Sequence, residues 1–501
     1  MGYFSHVATL DALSHPWGIA AMDIGWFDNR PYLFAGSGAD GGVMRLELAS
    51  DQIAAEVQAR GASNGSGSRN LADLTLLRID GQDWLLATGA TEGARALRRL
   101  DAADGEMGWL SHLQSDGGSL ANWTRTTAFD LGGQQYLVSA SWGAAGLQVF
   151  RIEDRSELTL VQTLDDGPKT TLADISALIT LDVGGSPVIV AASAAEGGIS
   201  TYLPGPGGQL ELADTLGAAF GLGMGGISAL AAAQVLGDAH VIAAGATTGT
   251  LTSFRVNPLG VLFEADHRTD DLTTRFGGVQ DVASFSHQGR SFAVAGGSDD
   301  GLSLFEIGPG GRLYHLESIA DQAGWTLGNV RSLAATVIGD QAQILAAGEA
   351  SPGLTQFALD MGRFGDLALA PATGDSLTGT PRDDHLEATG GATTLSGGAG
   401  NDRLVAGPGE TTMFGGPGDD VFVFRPMAGE GGTDRIMDFG RGADRIDLSA
   451  YPMLYSSQGL TITPTADGAR LLVQGDEILV RSWEGMSMTS QDFSAEMLIF
   501  G

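Results

Sequence analysis

Two copies of Gly-Gly-x-Gly-x-Asp near the C-terminus are the residues of this chain best suited to chemistry. They lie at 397–402 and 415–420, eighteen residues apart. Glycine turns expose backbone carbonyl oxygens and aspartates supply carboxylates, and Ca²⁺ takes about six to eight such hard oxygens. The spacing therefore predicts Ca²⁺ bound between turns that recur every eighteen residues.

A nine-residue frame extends this pattern over residues 379–423. Counting in nines from Gly397 gives five units: GTPRDDHLE, ATGGATTLS, GGAGNDRLV, AGPGETTMF and GGPGDDVFV. The eighth position is apolar in every unit: Leu386, Leu395, Leu404, Met413 and Phe422. Nonapeptide repeats of this kind are typical of a parallel β-roll in which each unit forms half a coil. The strict frame favours a roll over a flexible glycine-rich linker.

The sixth position of the frame separates the units into two kinds. It is Asp384, Asp402 and Asp420 in alternate units and Thr393 and Thr411 in the others. Because alternate units stack on the same edge of a roll, we expect the aspartate-bearing turns to lie above one another. Two ions would fit, one between each adjacent pair of turns.

These repeats resemble the repeats-in-toxin (RTX, hemolysin-type calcium-binding) family, and residues 432–451 are similar to the segment that follows the roll in serralysin-type proteins. The resemblance implies export from a Gram-negative bacterium by a type I secretion exporter, with Ca²⁺ completing folding outside the cell. It implies an uncleaved export signal, which we expect in residues 488–501. It also implies the following ligands: Asp384, Gly398, Gly400, Asp402, Gly416, Gly418, Asp420 and Asp438, with Asp444 a further candidate. The first unit departs from the family pattern, since Thr380 and Arg382 replace glycines.

Composition agrees with an extracellular location. The formal charge is −33, and such a chain disfavours nucleic acid and anionic membranes as partners. No apolar run approaches the ~18 residues of a membrane span, so we expect no membrane insertion. Residues 1–18 lack the pattern of a cleaved signal peptide. Cysteine is absent, so metal is the alternative to disulfides as a stabiliser.

A longer repeat occupies the rest of the chain. A small residue followed by an apolar one recurs at spacings of 51 to 53, at Gly42, Gly93, Gly146, Gly198, Thr250, Gly301 and Gly353. Each unit has about four short strand signals and no amphipathic helix, which is typical of a propeller blade. We therefore predict an all-β protein with a seven-bladed β-propeller followed by the parallel β-roll. Residues 3–10 are expected to complete the last blade and close the ring.

The predicted boundaries follow from these two repeats. They are a propeller at 1–362, a linker at 363–378, the roll at 379–424, and a cap with the export signal at 425–501. Short hairpin strands are expected at 460–484. The propeller units resemble the lactonase-like seven-bladed superfamily, a resemblance that implies fold and not activity.

No catalytic residue is identified. His-Glu-x-x-His is absent, and the Gly-x-Ser-x-Gly match at 61–65 lies in a loop and not at a strand-to-helix elbow.

The predicted mouth of the central channel is the candidate site of the propeller. Arg125, Asp174 and Asp281 are placed just before inner strands, with Arg331 nearby, and would form a polar ligand or metal site. The alternative is solvated loop ends and ion pairs. Aromatic residues on the same loops would stack on sugars or anchor a protein, unless they fill gaps between blades. They are Trp17, Trp123, Phe220, Phe276 and Trp325.

Three functions remain open from the sequence. The preferred one is an extracellular binding or interaction propeller, with an unknown protein or glycan partner, carried by a calcium-dependent tail. The second is a secreted hydrolase or lyase that acts on a lactone or polysaccharide at the channel mouth. The third is a calcium-dependent component of a surface layer or filament.

Overall fold

The computed structural model describes residues 2–62, 70–90, 96–218, 221–370, 374, 376–390, 392–426, 432–494 and 496–500. The chain forms two compact units, Met1–Asp360 and Met361–Gly501. Among the described residues the helices are short 3₁₀ turns, at Pro206–Gly208, Pro309–Gly311, Met361–Arg363 and Ser457–Gly459. None of them has the length and apolar character needed to cross a membrane.

The first unit is a seven-bladed β-propeller, which confirms the predicted fold. Each blade is an antiparallel sheet of four strands, and the first strand of each blade lines a central channel. The first two blades are β2 (Ile19–Phe27), β3 (Arg30–Ser37), β4 (Val43–Glu47) and β5 (Ala55–Arg60), then β6 (Leu71–Ile79), β7 (Gln82–Gly89), β8 (Ala96–Leu100) and β9 (Met107–His112). The third blade is β11 (Trp123–Leu131), β12 (Gln134–Ser141), β13 (Leu147–Ile152) and β14 (Glu157–Leu164), with β10 (Gln114–Asp116) added in parallel beside β14.

The remaining blades follow the same order. The fourth and fifth are β15 (Ile175–Val183), β16 (Ser186–Ser193), β17 (Gly198–Pro204) and β18 (Leu210–Gly217), then β19 (Ile227–Val235), β20 (Asp238–Gly245), β21 (Thr250–Val256) and β22 (Leu262–Thr269). The sixth is β23 (Val279–His287), β24 (Arg290–Gly297), β25 (Gly301–Ile307) and β26 (Leu313–Ala320). The seventh is β27 (Val330–Ile338), β28 (Gln341–Gly348) and β29 (Leu354–Asp360), and β1 (Ser5–Leu10) is its fourth strand.

The N-terminal strand closes the ring, as predicted. Strand β1 pairs antiparallel with β29, from Ser5 opposite Ala358 to Leu10 opposite Leu354. The backbone N–H groups of Tyr3 and Phe4 donate hydrogen bonds of 2.5 and 2.8 Å to the carboxylate of Glu317 in the sixth blade. The chain start is thus attached to two neighbouring blades.

The repeat signal in the sequence corresponds to the core between the blades. The residue four positions after each repeat glycine or threonine is at most 1% exposed in every blade: Leu46, Leu97, Phe150, Tyr202, Phe254, Phe305 and Phe357. Burial of each such side chain contributes about 1.5–3 kcal/mol to stability. The repeat therefore persists because every blade must present an apolar residue to its neighbour.

The second unit consists of two sheets whose strands are largely parallel, as expected for a β-roll. One sheet has the order β30 (Phe364–Ala370), β32 (Asp383–Ala388), β34 (Arg403–Val405), β36 (Val421–Val423), β38 (Arg445–Asp447) and β42 (Leu498–Ile499). The other has the order β31 (Ser376–Thr378), β33 (Thr393–Ser396), β35 (Thr411–Phe414), β37 (Thr433–Phe439), β41 (Asp476–Ser482), β40 (Gly468–Val473) and β39 (Leu460–Pro464).

The nine-residue frame sets the register of the roll. Leu386, Leu404 and Phe422 pair across three successive strands of one sheet, and Leu395 and Met413 pair across the other. All five apolar side chains are at most 1% exposed. The apolar side chains at the eighth position of the frame therefore fill the interior of the roll.

The roll begins earlier than the frame indicated. Strands β30 and β31 lie inside the predicted linker at 363–378, and β30 pairs in parallel with β32. The linker prediction is wrong for these strands. They join the roll by strand pairing, which does not require the glycine-rich nine-residue pattern from which the roll was predicted. The hairpin strands expected at 460–484 are present as β39, β40 and β41. Strand β42, inside the expected export signal, pairs with β38.

Candidate functional site

The aspartate-bearing turns of the roll stack in one column. The carboxylates of Asp402, Asp420 and Asp444 each accept a hydrogen bond from the backbone N–H of the aspartate in the preceding turn, at 2.8, 2.9 and 3.1 Å. Asp438 accepts hydrogen bonds of 3.0 Å from the N–H groups of both Gly415 and Gly416. The turns predicted to carry ligands therefore come together on one edge of the roll.

Glycine is required in these turns because the backbone of one turn touches the next. Gly416 and Gly418 have φ angles of 101° and 153°. A Cβ on Gly416 would lie 1.9 Å from the carbonyl oxygen of Gly398, and one on Gly418 would lie 1.8 Å from that of Gly400. Carbonyl oxygens of one turn thus face the following turn, and only glycine leaves room for this arrangement.

A carboxylate oxygen of Asp420 in this column has no hydrogen-bond partner among the described residues. Asp420 is fully buried, and its Oδ2 accepts no hydrogen bond from the described residues. Burial, together with the nearby carboxylates of Asp444, Asp402 and Asp438, raises the pKa of Asp420 to about 8. Burial also raises the pKa values of Asp438 and Asp444. Such carboxylates are destabilised as anions unless a cation lies beside them.

The first turn of the column is satisfied by protein groups. Oδ1 of Asp384 accepts hydrogen bonds from the N–H of Asp366 at 2.5 Å and from the hydroxyl of Thr380 at 3.1 Å. Its Oδ2 accepts one from the N–H of Thr380 at 2.6 Å. Thr380 replaces a glycine of the repeat pattern, and its hydroxyl group therefore supplies the carboxylate of Asp384 with a donor that glycine lacks.

The donors of this edge fit calcium. Among the described residues no three or more His, Cys, Asp or Glu side chains are grouped to hold a metal. The available donors are instead a mixture of buried carboxylate and glycine carbonyl oxygens, which suits a hard cation such as Ca²⁺ and not Zn²⁺.

The propeller places two of its predicted site residues differently from expectation. One residue with a left-handed φ of 48° to 63° precedes the inner strand of each blade: Gly18, Asn70, Asn122, Asp174, Gly226, Gly278 and Asn329. Asp174 lies at this rim, as predicted. Arg125 and Asp281 lie within β11 and β23, three residues after the rim position. Their predicted positions are wrong because the inner strands of these blades begin at Trp123 and Val279, and not after Arg125 and Asp281.

Arg125 and Asp281 connect neighbouring blades along the channel. The guanidinium of Arg125 donates to the carbonyl oxygens of Ala72 at 3.0 Å and Thr124 at 2.7 Å, and also to that of Ser176. Asp281 accepts a hydrogen bond of 2.7 Å from the N–H of Leu333 in the next blade.

Two aspartates that were not predicted from the sequence also accept hydrogen bonds from backbone N–H groups of the next blade. Asp73 accepts from the N–H of Thr126 at 2.7 Å, and Asp23 from that of Leu76 at 3.3 Å. With Arg125 and Asp281 they border a channel cavity of about 610 Å³. Burial raises the pKa values of Asp23 and Asp281 to about 7 and that of Asp73 to about 6.

The predicted aromatic ring is mostly part of the core. Trp123 and Phe276 are fully buried, and they pack on Phe150 and Phe305 with ring centroids 5.5 and 5.7 Å apart. Trp325 is half-buried.

Trp325 stacks on His6 and meets Phe357 edge-on. Trp17 is exposed, at 56%. Phe220 lies outside the described residues. The prediction of a ring of binding aromatics is therefore wrong for Trp123 and Phe276, which fill the space between blades.

A second cavity, of about 810 Å³, lies at the mouth of the channel. Asp174 and Arg125 line it, together with Trp142, which is 65% exposed and was not identified from the sequence. Aligning the seven repeats at the end of the second strand would have found Trp142, because the other blades carry small or charged residues there.

Comparison with known proteins agrees with the assignment of the C-terminal unit. The family described as peptidase M10 serralysin C terminal matches residues 392–482, a region that includes most of the roll and its cap. No curated protein sequence matches the chain.

Solved structures that are similar to part of this chain include the following two. A putative 6-phosphogluconolactonase from Bacteroides fragilis NCTC 9343 is 15% identical, with a TM-score of 0.46 over 66% of this chain and 94% of that chain. The β-propeller domain of Cps50 (Swd1) from Myceliophthora thermophila is 12% identical, with a TM-score of 0.47 over 71% of this chain and 99% of that chain.

Proposed function

We propose that this protein is a secreted calcium-binding protein of the repeats-in-toxin type, whose propeller is an extracellular binding or interaction module. The C-terminal roll would fold on Ca²⁺ outside a Gram-negative cell, after export by a type I exporter that recognises the C-terminal residues. The match at residues 392–482 supports the family assignment of the tail.

The observation that carries the calcium proposal is Oδ2 of Asp420, which lies in a stack of glycine turns and has no hydrogen-bond partner among the described residues. Asp402, Asp420 and the carbonyl groups of Gly398, Gly400, Gly416 and Gly418 would hold the cation, with Asp438 and Asp444 extending the column. The bound ion would neutralise the buried carboxylates. The chain itself presents its oxygens between turns and excludes side chains from that space.

The expected affinity for Ca²⁺ makes folding of the roll depend on whether the chain is inside or outside the cell. Extracellular calcium modules work at about 10⁻⁴–10⁻³ M, which is far above cytosolic free calcium. The column would then stay unfolded inside the cell, and binding free energy would appear as folding free energy outside.

Asp420→Asn in the full-length protein tests this proposal. We expect the calcium concentration at the folding midpoint of the roll, followed by hydrogen exchange at residues 397–423, to rise by about tenfold or more. Asp434→Asn is the matched control, because Asp434 also accepts a hydrogen bond from a backbone N–H, that of Thr411 at 2.8 Å, but on the opposite edge. If the two variants have equal calcium midpoints, or if calcium does not change exchange in the wild-type roll, the proposal is wrong.

A further inference from the structure

The seven blades provide internal comparisons for every position around the channel mouth. The residue directly after the second strand of each blade is Gly38, Ala90, Trp142, Ala194, Ala246, Ser298 and Glu349. In five blades the backbone N–H at this position donates to the carbonyl oxygen of the rim residue of the same blade, for example Trp142 to Asn122 at 2.7 Å and Ala194 to Asp174 at 3.2 Å. The other blades carry no aromatic side chain at this position, and four of them form the same contact, so the fold does not require Trp142.

The backbone of Trp142 is held by hydrogen bonds at the wall of the mouth cavity. Its own N–H is bonded to Asn122, and the hydroxyl of the preceding Ser141 donates to the carbonyl oxygen of Ala121 at 3.2 Å. The indole is nevertheless 65% exposed. A large apolar ring kept in water on a rigid backbone loses little conformational entropy when a ligand covers it.

The charged groups of the mouth are largely engaged within the protein. Arg331 forms an ion pair with Glu349, and Arg125 donates to three carbonyl groups. Asp174 remains, an exposed carboxylate whose side chain accepts no hydrogen bond from the described residues. Among the residues that the structure describes, the mouth therefore has no surplus of cationic groups for an anionic ligand.

Neutral polar groups line part of the mouth cavity. The second residue of each inner strand sits at a bulge, and in the third to sixth blades this residue is Thr124, Ser176, Ser228 and Gln280. All four border the mouth cavity, whose volume of about 810 Å³ lies in the range of ordinary ligand pockets. An aromatic platform beside hydroxyl, amide and carboxylate groups matches a pyranose, which has an apolar C–H face and a rim of hydroxyl groups.

We infer that the channel mouth binds a neutral oligosaccharide, with one pyranose ring stacked on Trp142 and its hydroxyl groups bonded to Asp174 and the bulge residues. This inference rests on the proposed role of the propeller as a binding module and specifies the ligand class. It differs from the aromatic ring predicted from the sequence, because Trp123 and Phe276 of that ring are buried.

Binding of gluco-, manno-, galacto- and xylo-hexasaccharides to the calcium-saturated full-length protein tests the inference, with oligouronates as the charged comparison. Isothermal titration of Trp142→Ala should show affinity for the bound hexasaccharide reduced at least tenfold. Trp142→Phe should keep most of the affinity. Trp26→Ala is the control, since Trp26 is 49% exposed and borders neither cavity. Asp174→Asn, which tolerates the same left-handed backbone, should also weaken binding.

Three results would overturn the inference: no neutral hexasaccharide bound at millimolar concentration, tighter binding of oligouronates, or equal affinities of Trp142→Ala and Trp26→Ala. Calcium-dependent hydrogen exchange of the roll is measured on the same samples. A normal calcium response without saccharide binding refutes this inference alone, whereas a missing calcium response refutes the proposed calcium-dependent tail.

Discussion

Asp281→Asn should change how the stability of the propeller depends on pH. Burial raises the pKa of Asp281 from 3.8 to about 7. A carboxyl whose pKa is higher in the folded than in the unfolded protein stabilises the fold when it is protonated. This stabilisation is complete below the unfolded pKa and is lost as the pH rises from about 4 to about 7. The shift corresponds to at most about 4 kcal/mol. Asp281 borders the channel cavity, where solvent screening reduces the cost of the charge, so we expect about 1–3 kcal/mol.

The asparagine variant separates the charge from the hydrogen bonds. Asp281 accepts from its own neighbour Val282 at 2.9 Å and from Leu333 at 2.7 Å. Asparagine keeps one acceptor oxygen and loses the other, at a cost of about 1–3 kcal/mol. Since asparagine does not ionise, the variant should be less stable than the wild type at pH 4.5, and the difference should shrink by about 1–3 kcal/mol at pH 8.

Urea unfolding followed by tryptophan fluorescence measures this difference, because seven of the eight tryptophans lie in the first unit. Asp214→Asn is the control for the lost hydrogen bond. Asp214 also accepts from its following residue and from the next blade, at Leu262, but on an outer strand. A stability difference between wild type and Asp281→Asn that is the same at pH 4.5 and pH 8 would refute the reasoning.

Two further substitutions test the turn column and the ring closure. Gly416→Ala should raise the calcium midpoint of the roll and lower its stability by more than Gly440→Ala, because both glycines have positive φ but an added Cβ meets a carbonyl only at Gly416. Equal effects of the two variants would show that the contact between turns is unimportant. Glu317→Ala should destabilise the propeller by about 1–3 kcal/mol and speed hydrogen exchange in residues 5–10, because two backbone donors lose their acceptor. Unchanged exchange in that strand would mean that pairing with β29 alone holds the N-terminus.

Periodic features of this protein were predictable from the sequence because each repeat must bury an apolar side chain at the same place in its coil or blade. Leu386, Leu404 and Phe422 recur at a fixed spacing since each coil needs one apolar residue inside the roll. Phe254 and its equivalents recur since each blade must fill the same gap. The all-β class, the seven blades, the closing strand and the edge carrying Asp402 and Asp420 follow from such spacing.

Features that depend on neighbours distant in the chain were decided only by the tertiary structure. The spacing of Asp384 matches that of Asp420, yet Thr380 and Asp366 supply donors to Asp384, while Oδ2 of Asp420 has no donor among the described residues. Trp123 and Trp142 have the same side chain, but one fills a gap between blades and the other lies at the open mouth. Sequence spacing determines which residues repeat, whereas burial, hydrogen-bond satisfaction and charge depend on which groups the fold brings beside them.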